Sequence, residues 1–95
     1  MTAQPAARFP LGQVVATPGA IAALARSGDT AAAFLARHEQ GDWGDVPPED
    51  AASNEDALVD GGRILSSYRL GDGTVVWLIT EADRSVTTVL LPSDY

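Results

Sequence analysis

The fold turns on one stretch: RILSSYRL (Arg63–Leu70), GDG, TVVWLIT (Thr74–Thr80), EADRS and VTTVLL (Val86–Leu91). The three longer pieces are rich in β-branched and aromatic residues, and the two short ones are turns. Period-two alternation puts Ile64, Ser66, Tyr68 and Leu70 on one face, and Leu65, Ser67 and Arg69 on the other. The expectation is a three-stranded antiparallel meander. Its middle strand is apolar on both sides, with Val75, Trp77 and Ile79 against Val76 and Leu78. Such a strand is central, and either both its faces are covered or one of them meets a partner. The residues expected to be left outward are Val76 and Leu78, beside Val89 and Leu91, as a patch for self-association.

Upstream the period changes to 3.6. Thr17-Pro18 opens a helix with a capping hydroxyl and a proline at its first position, carrying Ile21 and Leu24 on one stripe to Arg26. Ser27-Gly28 closes it. Asp29 or Thr30 opens a second helix to about Gln40, with Ala31, Phe34, Leu35 and His38 on one face. A third is expected from Pro48 to about Asp60, with Glu49 and Asp50 in its first turn, where carboxylates suit the helix dipole. Ala51, Asn54 and Leu58 form its weak inner side, so it is expected to be partly exposed. Before the helices, Val14-Val15-Ala16 reads as a short strand. The whole is an α+β domain spanning residues 9–95, its helices on one face of a four-stranded sheet. Residues 1–8, small and proline-containing, are expected to be a flexible arm.

Charge is the next most informative feature. Between Gly41 and Gly61 lie Asp42, Asp45, Glu49, Asp50, Glu55, Asp56 and Asp60, with no basic residue. The remainder carries six acidic and six basic residues, so the net charge of −7 belongs to this segment alone. A field of that sign repels nucleic acid and anionic membrane and draws in a basic protein. There is no cysteine, which excludes disulfides, thiolate metal sites and a cysteine nucleophile. The N-terminus lacks a basic-then-apolar leader and no apolar run approaches a membrane span, so a cytoplasmic protein is expected.

Chemistry-bearing motifs are sparse. His38, the one histidine, is followed by Glu39, Asp42 and Asp45. A metal-dependent or hydrolytic site there requires an accessible ring beside at least two carboxylates, and the spacing lacks the paired histidines of the helical zinc motif. Asp-Trp-Gly-Asp lacks the alternating oxygen ligands of a calcium loop. Glu81, Asp83, Arg84, Ser85, Thr87 and Thr88 gather at the second hairpin, where Asp83 is a turn residue and Glu81 with Arg84 is expected to pair. Trp43 has two readings: a plug closing the helices on the sheet, or an exposed anchor within the acidic segment. Asp42, Trp43, Asp45, Glu49 and Asp50 are therefore the candidate partner-binding residues. No catalytic residue, metal ligand or cofactor is assigned, and a monomer or weak homodimer is expected.

The stretches FPLGQVVATPGA (Phe9–Ala20), GDWG (Gly41–Gly44), GRILS (Gly62–Ser66) and WLITEADRSVTTVLLP (Trp77–Pro92) carry a resemblance. Together they resemble a family of small uncharacterised bacterial proteins found on chromosomes, plasmids and other mobile elements. Its members are sometimes labelled plasmid-related or type I restriction subunit. The likeness runs from Phe9 to Tyr95. It implies no catalytic residues, and nothing here matches a nuclease motif or a methyl-donor-binding domain. It does imply a setting among DNA-handling proteins or their antagonists. The function expected is a non-enzymatic interaction module. The alternatives are a His38-centred enzyme and a homo-oligomer through the outer sheet face.

Overall fold

The computed structural model describes residues 7–95. Most of the arm expected at 1–8 lies outside the described residues. Arg8, its last residue, is tied in: its amide donates to the Glu39 carbonyl at 2.7 Å and its guanidinium grips Glu55. Phe9 is buried.

The elements run β1 (Gln13–Ala16), α1 (Pro18–Ser27), α2 (Ala31–Glu39), α3 (Pro48–Asp60), β2 (Ile64–Arg69), β3 (Val75–Thr80) and β4 (Val86–Leu90), then a 3₁₀ turn at Pro92–Asp94. The chain is thus α+β, with three helices and a four-stranded mixed sheet in the order β1-β4-β3-β2. β2, β3 and β4 pair antiparallel in sequence, whereas β1 begins at Gln13 and runs parallel to β4. The three helices and two strands between β1 and β4 supply the long crossover that a parallel neighbour requires.

Local signals account for the helix ends. The Thr17 hydroxyl accepts from the Ala20 amide at 3.1 Å, and Gly28 closes α1 in the left-handed conformation (φ 75°). Thr30 caps α2 in the same way through Ala33. α3 starts behind Pro47 without a side-chain cap. Its far end is closed by Gly61 in the left-handed conformation (φ 81°) and by Arg84, which donates to the carbonyls of Ala57 (2.9 Å) and Gly62 (2.6 Å). No basic residue lies in the last turn of α3, so this guanidinium from the β3–β4 turn supplies the cation the dipole favours.

The inner sheet face carries Ile64, Ser66 and Tyr68, then Val76, Leu78 and Thr80, then Thr87 and Val89. All eight are essentially sealed from solvent. Ala20, Ala23 and Leu24 of α1 and Phe34 of α2 pack on the Tyr68 end. Phe9, Trp43 and Ala57 pack around Ile64. The expected orientation of β3 is therefore reversed: Val76 and Leu78 point inward, and Trp77, Ile79 and Leu90 form the outer face. A strand apolar on both sides offers no alternation to choose by. Trp77 is half covered by Tyr95, edge to face at 5.8 Å. Ile21, expected on the inner stripe of α1, is 58% exposed, because the small side chains of Ala20 and Ala23 make the contact. Among the described residues no helix is long and apolar enough to cross a membrane.

The two sheet edges differ. On β2, Leu65 gives its amide to Asn54 Oδ1 (3.1 Å) and its carbonyl accepts from Asn54 Nδ2 (2.7 Å). Ser67 exchanges bonds with the Trp43 carbonyl and the Asp45 amide. The helix side chain and the bend at Gly44 thus seal that edge. On β1, Val14 and Val15 are 43% and 40% exposed.

Candidate functional site

The acidic segment separates into carboxylates paired with an arginine and carboxylates that are exposed and unpaired among the described residues. Asp42 belongs to the first group. Its carboxylate accepts from Arg37 Nε at 2.7 Å, which holds it below the usual carboxylate range, and Arg37 stacks over the Tyr68 ring at 4.5 Å. The Tyr68 hydroxyl closes the loop by donating to the Asp42 carbonyl at 2.5 Å, while burial pushes the phenol up to about 12.

Glu55 is the second structural acid. It accepts two bonds from Arg8 (2.7 and 3.0 Å) and one from Trp43 Nε1 (3.1 Å). The Arg8 guanidinium, then the indole, keep its carboxyl low. Trp43 itself is 7% exposed, stacked on Phe9 with centroids 6.2 Å apart. The reading of Trp43 as an exposed anchor is corrected: the indole is a plug, because the Gly44 bridge to Ser67 folds the bend inward over Ile64.

Five carboxylates remain: Asp45, Glu49, Asp50, Asp56 and Asp60 are exposed and make no ion pair among the described residues. Asp45 uses its backbone on Ser67, leaving its side chain outward. The other four lie on α3, which contains no basic residue. Glu49, Asp56 and Asp60 recur at helical spacing on one side. Val59 lies beside them at 85% exposure, the most exposed large apolar side chain described. Of the candidate set, Asp45, Glu49 and Asp50 are thus brought to one surface, and Asp42 and Trp43 are used internally. Asp56, Val59 and Asp60 were not in that set. The α3 periodicity, with Asn54 and Ala57 inward, is the signal that adds them.

His38 sits elsewhere, at the centre of the molecule and 0% exposed. Its Nδ1 lies 2.6 Å from Ser66 Oγ and its Nε2 2.9 Å from Thr80 Oγ1. Thr80 Oγ1 lies 2.6 Å from Thr87 Oγ1, which donates to the Leu11 carbonyl at 2.7 Å. The terminal carbonyl can only accept, which orients the whole chain. Thr87 donates to Leu11, Thr80 to Thr87, His38 Nε2–H to Thr80, and Ser66 to Nδ1. The ring is neutral, and burial lowers its pKa to about 4. Phe9 and Trp43 close on it edge-on at 5.1 and 6.1 Å. An accessible ring beside two carboxylates, the condition for a His38-centred site, is not met.

The second-hairpin cluster also disperses. Glu81 pairs with Arg63 at 3.1 Å rather than with Arg84, and Asp83 accepts from the Ser85 amide and hydroxyl within its own turn. Among the described residues no three histidine, aspartate or glutamate side chains gather where a metal could be held, and no cleft opens. The arrangement suits surface recognition by charge. No family model, curated protein or solved structure matches this chain.

Proposed function

We propose that this protein is a non-enzymatic interaction module that engages a basic protein through the outer surface of α3 and the adjoining Asp45. One observation carries this reading. Two carboxylates of the acidic segment, Asp42 and Glu55, are each matched by an arginine, whereas Asp45, Glu49, Asp50, Asp56 and Asp60 face water with no cation paired to them among the described residues. Glu49 and Asp50 complement the α3 dipole, but five like charges gathered without a cation also repel one another, and a basic partner relieves that repulsion.

Val59, exposed among them, adds an apolar contact that a surface merely attracting free cations would not need. Attraction of this kind sets the encounter rate and the partner's sign, and a few desolvated contacts set the affinity. A basic, DNA-handling protein fits the setting implied by the mobile-element resemblance. Direct binding to nucleic acid does not fit the sign of the surface.

The test is affinity capture from a native lysate with the wild type and a five-amide variant: Asp45→Asn, Glu49→Gln, Asp50→Asn, Asp56→Asn and Asp60→Asn. Asp42 and Glu55 are left intact, so the fold is not confounded. A basic protein held by the wild type alone supports the reading; the same protein held by both removes it.

A further inference from the structure

We infer that the open edge of β1 pairs with β1 of a second copy, joining two sheets into one of eight strands about a two-fold axis. Gln13 N donates to Ser85 O and Thr17 N to Val89 O, both at 2.9 Å, so residues 13, 15 and 17 face β4. Alternation turns the amides and carbonyls of Val14 and Ala16 the other way. They have no backbone partner among the described residues.

The opposite edge shows what protection looks like in this molecule, since Asn54 and the Trp43–Asp45 bend satisfy Leu65 and Ser67. β1 has no such cover among the described residues. Nor has it the lysine, proline or inward charge by which a native edge avoids pairing. From Phe9 to Ala25 there is no charged residue at all. Three of the five exposed large apolar residues, Val14, Val15 and Ile21, fall in that span.

Geometry and charge both select a second copy as the occupant. An antiparallel dyad centred on Val15 pairs Val14 with Ala16 of the second copy and Ala16 with its Val14. Four backbone hydrogen bonds then form with no residue left over, and the two Val15 side chains meet on the outer face. The unpaired carboxylates do not oppose this. α3 packs on β2, and β2 and β1 are opposite edges of the sheet. In the joined sheet the two β2 strands stand roughly 34 Å apart, several Debye lengths at physiological salt. The contact is small, so the dimer is concentration-dependent. It presents two α3 surfaces at the far ends of one sheet, a bivalent display. The pairing does not depend on the proposed function.

The test uses the full chain. Sedimentation should give a mass rising from one chain towards two as concentration climbs to ~1 mM. Val14→Pro removes only an outward amide, so it should weaken association at least about tenfold and keep the wild-type melting profile. Because the chain has no cysteine, Val15→Cys gives an independent readout. Under mild oxidation it should cross-link at least about tenfold faster than Ala82→Cys on the β3–β4 turn. A single-chain mass at ~1 mM, or equal cross-linking by both cysteines, overturns the inference. So does a folded Val14→Pro that associates like the wild type. Protection of the Val14 and Ala16 amides that does not change with concentration would assign the edge to a segment of the same chain, and also overturns it.

Discussion

His38 Nε2 donates to Thr80 Oγ1 across 2.9 Å, joining α2 to the centre of the sheet through a polar bond with no access to water. A group sealed this way in its neutral form links stability to pH. The ring's pKa is 6.5 unfolded and about 4 folded. The unfolded chain therefore binds the extra proton first as pH falls. The stabilisation is complete above pH 6.5 and is lost as pH drops towards 4, by about 3 kcal/mol in all. Denaturant titrations across that window should record the slope, and His38→Gln should flatten it. Nitrogen NMR should find the proton on Nε2.

Trp43→Ala removes a buried indole between Phe9 and His38 and should cost about 3–5 kcal/mol. Arg8→Ala removes one solvent-screened partner of Glu55 and should cost far less. Thermal melts of the two variants should differ accordingly. Equal losses would mean that the ion pair, rather than the plug, holds the acidic bend.

Gly44→Ala should be disproportionately damaging. A Cβ there would fall 2.0 Å from the Ser67 carbonyl oxygen, at a φ of 73° that disfavours any side chain. The bridge sealing β2 would have to open, at a cost of at least ~2 kcal/mol. Hydrogen exchange should accelerate at Asp45 and Ser67 first.

Arg84→Ala should loosen the end of α3 by about 2 kcal/mol, since its guanidinium serves the carbonyls of Ala57, Gly62 and Glu81. Arg84 holds a left-handed backbone (φ 61°), so Arg84→Gly should recover part of the loss by relieving strain. The difference in stability between the two variants separates strain from capping.

Much of this architecture is legible in the sequence, and the illegible parts share a cause. Thr17-Pro18, Gly28 and the two-period tail of the chain act over a few residues, so helices and strands can be read directly. The orientation of β3 cannot, because Val76 and Leu78 match Trp77 and Ile79 in hydrophobicity and only the packed helices break the tie. The parallel pairing of β1 with β4 joins residues some seventy positions apart. His38 takes its partners from Ser66 and Thr80, 28 and 42 positions away, a pairing that no local pattern announces. Arg84 and Glu81 look like a cross-turn pair, yet Glu81 takes Arg63 while Arg84 turns to α3. In the acidic segment the charge excess is plain, but which acids are free follows from Arg8 and Arg37 reaching in from outside it.

The central claim is that Asp45 and the unpaired α3 carboxylates Glu49, Asp50, Asp56 and Asp60 serve a partner, beyond what Glu49 and Asp50 give the helix dipole. The most direct measurement is an amide-shift map of the labelled protein titrated with the basic partner recovered by capture, run beside the five-amide variant. The account predicts shifts centred on Asp45 and on Glu49 to Asp60, including Val59. It also predicts loss of binding in the variant, with a melting temperature close to that of the wild type. Shifts centred on β1 or the outer sheet face, or undiminished binding by a folded variant, would contradict it.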